Sequence, residues 1–586
     1  MEKTGGLIDL LVNIPVEIRN KIISTYDYED PTSGRLEVII LYGGTTSTIA
    51  GEVEAIGGTF EDLGYGFAIV TINGAQLNNL INIRGIDYIE LPKNLYLSFE
   101  PSNRASCIIE PRDLYQIYGE GVLVGFIDSG IDYTNEAFRR ENGDTRIDYI
   151  YDLDAGGAVY TSEDINNALK SGNPQSVVPH VDRVGHGTHV AGIACAGGNI
   201  PNRYYGVAPR SSIAMVKMTR ASAQANGKST QLMRGIKFLL DKSLELNKPL
   251  SINISFSTND GAHNGESLLE QYISNVATTR RTTICIAAGN EGGKAHHISG
   301  DIEGTRTIQF SVGTGERALI LQLYKSLLVD FTVRIIAPNG MATQPLRISN
   351  TINVGRVGGN QYFIYNTGPT PFSINGEIII VLSGVGEVDI SNGIWSMELT
   401  ATNRYQGRFD MWLPVSEGLS ENTRFLNPTL SNTVGIPGTV RNIITVGSYN
   451  YSNLTISPFS GRGNSELNPV KPDLAAPGEN IESNTVDGGF ESLSGTSMAT
   501  PAVAGACALL MDFGIIKERD PFLYGERVKY YLLQGAERTR VDELYPNNNW
   551  GYGTLCLEGA INVWQSEVGT REIKNVIIKE NRFYEF

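Results

Sequence analysis

The stretch that most constrains this chain is Ser494-Gly495-Thr496-Ser497-Met498-Ala499-Thr500-Pro501, followed by the nearly featureless run from Ala502 to Leu510. A Gly-flanked serine at the mouth of so uncharged a segment predicts a buried helix that presents a hydroxyl at its N-terminus. Pro501 is read as a first-turn residue, because only there would the missing N–H have been unpaired anyway. The positive end of the helix dipole then lies beside Ser497, whose backbone N–H is available to a developing anion. A serine cap on a core helix is the plainer alternative, so the other motifs must decide.

At 586 residues the chain exceeds one hydrophobic core, and 41% hydrophobic with 19% charged residues is ordinary for a folded protein. The net charge of −16 disfavours a nucleic-acid or anionic-membrane partner, both of which select a basic face. Cys107, Cys195, Cys285, Cys507 and Cys556 are scattered and odd in number, so they read as buried free thiols in a reducing compartment. The N-terminus lacks the pattern of a secretory signal, and no run approaches a membrane span, so synthesis in the cytoplasm is expected.

Between Arg35 and Leu91 the periodicity runs strand, helix, strand, strand, helix, strand, a βαββαβ unit that suits a prosegment or a generic small domain. The apolar run Val122–Ile127 ends at Asp128, at the carboxyl end of a strand buried on both faces, where open α/β sheets keep their sites. A turn or cap aspartate is the alternative. Gly185-His186-Gly187-Thr188-His189 then opens a small-residue helix. A zinc pair at His186 and His189 lacks the glutamate of a His-Glu-x-x-His helix, so His186 is better read as a general base and His189 as a packed residue.

Alternating strands and helices from Gly206 to Asn290 predict a parallel sheet with covering helices, with Asn290 at a strand's carboxyl end, either an oxyanion donor or a loop residue. From about Ile302 to Leu426 short strands separated by Gly, Asn and Pro turns predict an inserted antiparallel β-sandwich, a rigidifying appendage or a carbohydrate- or partner-binding module. The α/β pattern resumes at Gly435 and continues through the Ser497 helix. The residues from about Arg571 read as a short polar strand or tail.

Asp128, His186 and Ser497 thus occur in the order Asp, His, Ser, and serine needs an imidazole to take its proton and a carboxylate to hold that imidazole. The segments Ile127–Ile131, His186–Gly192, Ala287–Asn290 and Ser494–Pro501 resemble the four signature blocks of subtilisin-like serine proteases. The resemblance implies an α/β fold: a subtilisin-like parallel-sheet catalytic domain (101–301 and 431–586) with an inhibitory prosegment over 1–100 and a jelly-roll-like insert over 302–430. It implies Asp128 as orienting acid, His186 as base and then acid, Ser497 as nucleophile and Asn290 as oxyanion donor. Ser255-Phe256-Ser257-Thr258 stands where that family commonly has Ser-Leu-Gly-Gly, so Ser255, Phe256 and Ser257 are expected to line the substrate cleft with side chains in place of glycines.

The calcium loops of secreted members have no counterpart, and no metal or other cofactor is expected. The insert and the Asn549-Trp550-Gly551-Tyr552-Gly553 ending are similar to the clostridial Csp germination proteases. That narrower resemblance implies activation of a cortex-lytic enzyme precursor during spore germination, with the protein expected in the spore coat or cortex region. The strand pattern of the prosegment, read as an intramolecular inhibitor, stops where self-cleavage is expected, between about Leu95 and Arg104. A protease-fold scaffold without catalysis is the alternative.

Overall fold

The computed structural model describes residues 3–4, 6–13, 19, 35–91, 101–218, 227–348, 352–367, 373–464 and 470–567. The chain divides into two compact units, Met1–Ser98 and Phe99–Phe586. The tail from Arg571 lies outside the described residues, as do positions 95–100 of the processing window; positions 101–104 begin the short helix Pro101–Ala105.

In the first unit, strands β1 (Leu36–Tyr42), β2 (Thr59–Gly64), β3 (Phe67–Ile72) and β4 (Ile86–Glu90) form an antiparallel sheet in the order β2-β3-β1-β4. Helices α1 (Thr46–Ala55) and α2 (Leu77–Ile81) complete the βαββαβ order. Strict alternation puts Leu36, Val38 and Ile40 of β1 and Ala68, Val70 and Ile72 of β3 on one face. Ile49 and Val53 of α1 and Leu77 and Leu80 of α2 close the same core.

Among the described residues, the second unit is built on a nine-stranded sheet. Its strands are β5 (Leu123–Asp128), β6 (Ile147–Asp152), β7 (Ala158–Thr161), β8 (Ser212–Lys217), β9 (Leu250–Ile254), β10 (Thr282–Ala287), β11 (Ile444–Asn450), β12 (Thr455–Ile456) and β13 (Leu474–Pro477). The order is β12-β11-β10-β9-β5-β8-β6-β7, with β13 also on β11. The centre from β11 to β6 is parallel. Strands β5, β8, β9 and β10 are buried at every residue, which is why they read as continuous apolar runs rather than as alternation.

Helices α3 (His186–Cys195) and α6 (Thr496–Met511) share one core cluster with one face of the sheet. Helices α4 (Ser229–Leu246) and α5 (Leu268–Val276) share a second cluster with the other. Every residue of α6 is buried. With the turn that follows, through Ile516, it is long and apolar enough to cross a membrane. The expectation that no run approaches that length is therefore corrected: this helix reaches it as a core element.

Pro501 lies inside α6 rather than in its first turn. The helix starts at Thr496, so Ser497 occupies the first turn, and proline removes the N–H that would have bonded the Ser497 carbonyl.

Between β10 and β11 the described residues form two antiparallel sheets of six and five strands that share one core, including Leu321, Ile378 and Phe409 from one and Ile308, Val333 and Met397 from the other. The strand His297–Asp301 pairs with Arg408–Trp412, so this segment begins before the Ile302 boundary read from the turn pattern. His297 and Ile298 are buried whereas Ser299 and Gly300 are only half-buried, a pattern too short to separate from the preceding loop by periodicity.

Cys107 and Cys556 form a disulfide, whereas Cys195, Cys285 and Cys507 are free and buried. The reading of all five as free thiols is corrected. The pair is 449 residues apart in sequence, and the backbone brings it together where Leu557 N–H donates to Ser106 and Glu558 N–H to Cys107.

Arg146 is 2% exposed and has no carboxylate partner among the described residues. It donates instead to the carbonyls of Ala137, Arg139, Cys195 and Ser211, tying three loops together. Burial lowers its pKa to about 10, which still leaves it charged at neutrality. The Arg146→Met variant strands those carbonyls and is expected to lose on the order of 3 kcal/mol, read as a lower thermal midpoint. Thiol titration of the denatured, unreduced protein is expected to find the three cysteines Cys195, Cys285 and Cys507, and reduction to add Cys107 and Cys556.

Candidate active site

Asp128 ends β5 and has no exposed surface. Its Oδ1 accepts from Ser129 N–H at 2.7 Å and from His186 Nδ1 at 2.7 Å. His186 is the first residue of α3, reached through Gly185, whose φ of 82° is a left-handed value that glycine adopts without a Cβ penalty. The imidazole is 29% exposed, so one edge is open to solvent. Burial pulls its pKa down, but the charge and hydrogen bond of Asp128, with Asp182 behind, more than offset this and leave it above the ordinary histidine value.

A loop that sequence reasoning passed over holds both groups. Asp182 accepts from Ser129 Oγ, Val184 N–H, Gly185 N–H, Thr188 N–H and Thr188 Oγ1 at 2.7–3.2 Å. It thereby ties the residue after Asp128 to the first turn of α3. Nearby, the fully buried His180 donates from Nδ1 to Asp152 at 2.6 Å, and its Nε2 accepts the Ile131 N–H at 3.2 Å. The signal available in the sequence was an acid four residues before His186, which is weak by itself.

Ser497 is 9% exposed and its Oγ donates to the Ser255 carbonyl at 3.5 Å. No hydrogen bond joins His186 to Ser497 among the described residues. Catalytic hydrogen bonds in ligand-free sites are often long and tighten when substrate binds. Asn290 follows β10, and its Oδ1 accepts from Thr496 N–H at 3.0 Å and Thr496 Oγ1 at 2.9 Å. That fixes the amide so that its NH₂ carries no partner among the described residues, beside the first turn of α6, where the Thr496 N–H is held by Asn290 and the Met498 N–H by the Gly495 carbonyl, and the Ser497 N–H has no partner among the described residues.

Ser255, Phe256 and Ser257 continue beyond β9. Phe256 packs on the core beneath α4, while the Ser257 side chain lies against Gly289 and Gly435, where a Cβ on Gly435 would come within 2.7 Å of the Ser257 Cβ. Thr258 and Ile436 exchange backbone hydrogen bonds of 2.9 Å, so this edge is braced from the side. His189 is buried, with Nε2 at 3.1 Å from the Glu491 carbonyl, and burial lowers its pKa to about 4. The structure thus joins Asp128 with His186 and, separately, Asn290 with the turn that carries Ser497.

These features are those of one protein class, and sequence comparison agrees. The subtilase family profile matches residues 119–412 and 415–553, and the chain belongs to that family. A Csp protease B prodomain profile matches residues 2–93. The solved structure of the Clostridium perfringens CspB protease is similar to this chain, with 52% sequence identity and a TM-score of 0.76, covering 78% of this chain and 96% of that one. The PIII-type proteinase of Lactococcus lactis subsp. cremoris (strain SK11) is 22% identical over 571 residues, covering 89% of this chain but 29% of that protein. Serine protease AprX of Bacillus subtilis (strain 168) is 30% identical over 151 residues, covering 22% of this chain and 32% of that protein. The chain therefore spans about a third of the length of these two relatives.

The two histidines titrate with opposite consequences. His186 is raised, so the stability it contributes is complete below the unfolded value of about 6.5 and is lost as pH rises through its folded pKa. His189 is depressed to about 4, so its contribution is complete above about 6.5 and is lost as pH falls through its folded value. NMR titration of the imidazoles is expected to find this order, and Asp128→Asn to lower the His186 value while leaving His189 in place.

Proposed function

We propose that this protein is a serine endopeptidase made as a self-processing zymogen. The observation that carries the reading is the buried Asp128 carboxylate bonded to His186 Nδ1, at the edge of the sheet where Asn290 binds the turn that bears Ser497. Ser497 Oγ attacks the scissile carbonyl carbon and its proton passes to His186 Nε2, while Asp128 keeps the proton on Nδ1 and stabilises the imidazolium. Asn290 Nδ2 and the Ser497 N–H receive the oxyanion. His186 then returns the proton to the leaving amine, and water repeats the sequence on the acyl-enzyme. Activity accordingly rises as pH passes the raised His186 pKa, because the base must start neutral.

The first unit acts as the intramolecular inhibitor and folding aid of the second, a role supported by its prodomain match. The substrate is a protein, and a cortex-lytic enzyme precursor activated during spore germination is the reading that the likeness to a CspB protease favours, with the enzyme held in the coat or cortex region. The Ser257 side chain between Gly289 and Gly435 narrows the cleft beside the first specificity pocket, favouring a small residue before the scissile bond.

Parallel expression of wild type and Ser497→Ala tests the core of this. Wild type is expected to yield a shortened chain with a new N-terminus near 95–104 and to be labelled by a fluorophosphonate. Ser497→Ala should remain full length and unlabelled. Identical full-length, unlabelled products would favour a scaffold. Asn290→Ala is expected to lower kcat by about 10²–10³, and Ser257→Gly to broaden the accepted residue toward larger side chains in a peptide panel.

A further inference from the structure

The residue after Asn290 is a buried acid. Glu291 is 5% exposed, and both of its oxygens are engaged with residues that follow it in the chain. Oε2 accepts from His296 Nδ1 at 2.5 Å, and Oε1 accepts from Ser416 N–H at 3.1 Å and Ser416 Oγ at 2.9 Å. His296 spans the remaining distance, with its Nε2 at 3.1 Å from the Thr423 carbonyl. The backbone repeats the tie, because Leu413 N–H donates to His296 and Phe425 N–H to Ala295. Residues 291–297 are therefore fastened to residues 413–425, the returning end of the two-sheet segment.

A buried carboxylate left unpaired is costly, so Glu291 holds its position only while these donors are in place. Burial raises its pKa, and the His296 and Ser416 hydrogen bonds more than reverse this, so the group is ionised at neutrality. Asn290 is thus gripped from two sides. Thr496 holds its side-chain oxygen, and Glu291 holds the backbone directly after it. An amide that must meet an oxyanion within hydrogen-bond distance tolerates little displacement, since about 1 Å of misplacement costs on the order of 10²-fold in rate.

We propose that Glu291, braced by His296 and Ser416, is a positioning residue that fixes the Asn290 amide in the oxyanion site. The two-sheet segment then contributes to turnover without touching substrate. This rests on the serine-protease reading above, and specifically on Asn290 as a donor.

The test uses the full-length chain and measures the second-order rate of phosphonylation by a fluorophosphonate, with kcat and KM on a peptide substrate. Glu291→Gln and Ser416→Ala are expected to slow phosphonylation and kcat by about tenfold with KM changed less than twofold. Ser416→Thr, which keeps the hydroxyl, should restore most of the rate. In an Asn290→Ala background, Glu291→Gln should add less than a further twofold, because the two act through one amide. The proposal is overturned if Glu291→Gln reacts at the wild-type rate, or if it slows the Asn290→Ala enzyme as much as it slows wild type. Should Glu291→Gln fail to fold, Ser416→Ala and its threonine counterpart decide by the same comparison. An unlabelled wild type, by contrast, removes the protease reading itself and the proposal with it.

Discussion

A carboxyl group with no exposed surface is costly to bury unless it is hydrogen-bonded, and Asp128 meets this through Oδ1 alone, which accepts from the Ser129 N–H and the His186 ring, while Oδ2 has no partner among the described residues. Neither donor is in place by default. Ser129 is held through its hydroxyl to Asp182, which also gathers the N–H groups of Gly185 and Thr188 around the first turn of α3. One buried acid therefore requires a second to hold its donors. The loop from His180 to Gly185 is ordered by that requirement rather than by any regular element. Gly187 belongs to the same arrangement, since a Cβ there would collide with the Gly130 carbonyl.

The same problem is met elsewhere with buried cations. Lys471 and Lys529 converge on Asp473, which is 1% exposed, at 2.6 and 2.8 Å. Burial raises the Asp473 pKa, but the two ammonium groups hold it below the usual carboxylate range, while burial lowers Lys471 to about 7. Asp473 also accepts the Thr445 N–H, and Lys529 reaches the carbonyls of Arg441 and Ile443, so the network clamps the entrance of β11. That strand lies beside β10, which delivers Asn290. Breaking one member of such a network strands the others, on the order of 3–5 kcal/mol.

Much of this was legible in the sequence because burial on two faces leaves its own pattern. The apolar runs ending at Asp128 and Asn290 gave both their strands and the sheet edge at which they end. The run from Arg35 to Leu41 read as a strand as well, although its burial on one face shows only in the structure. The ties between distant loops were not legible. Asp182, Glu291 and Arg146 are ordinary charged residues until the fold puts five donors, a histidine or four carbonyls around them, and no local spacing encodes that. The Cys107–Cys556 pair escaped for the same reason, since parity and flanking residues carry no information about a partner 449 positions away. Pro501 misled in the opposite direction. It obeys a local rule for helix starts that the tight packing of α6 between the sheet and α3 overrides.

Interposing a long segment between two adjacent strands is itself thermodynamically mild, because closure entropy grows only by about 0.6 kcal/mol for each doubling of length. A segment joined to β10 and β11 only through its ends could therefore hang from the sheet without consequence. Here it does not hang. Trp412, on its last long strand, is stacked on His263 at 4.4 Å and on His297 at 4.7 Å, and all three are at most 2% exposed. Burial lowers His263 to about 4, so a neutral ring meets the indole, and its Nδ1 lies 2.7 Å from the Val434 carbonyl. Asn259, just past the Ser255–Thr258 edge, donates to Leu413, and Trp412 Nε1 donates to Asn432. The residues just after the Ser255–Thr258 edge thus lean on Leu413, and the segment that follows Asn290 leans on Trp412 through His297, two neighbours at the end of one strand. Specific contact, rather than the covalent connection, is what couples the two-sheet segment to the cleft.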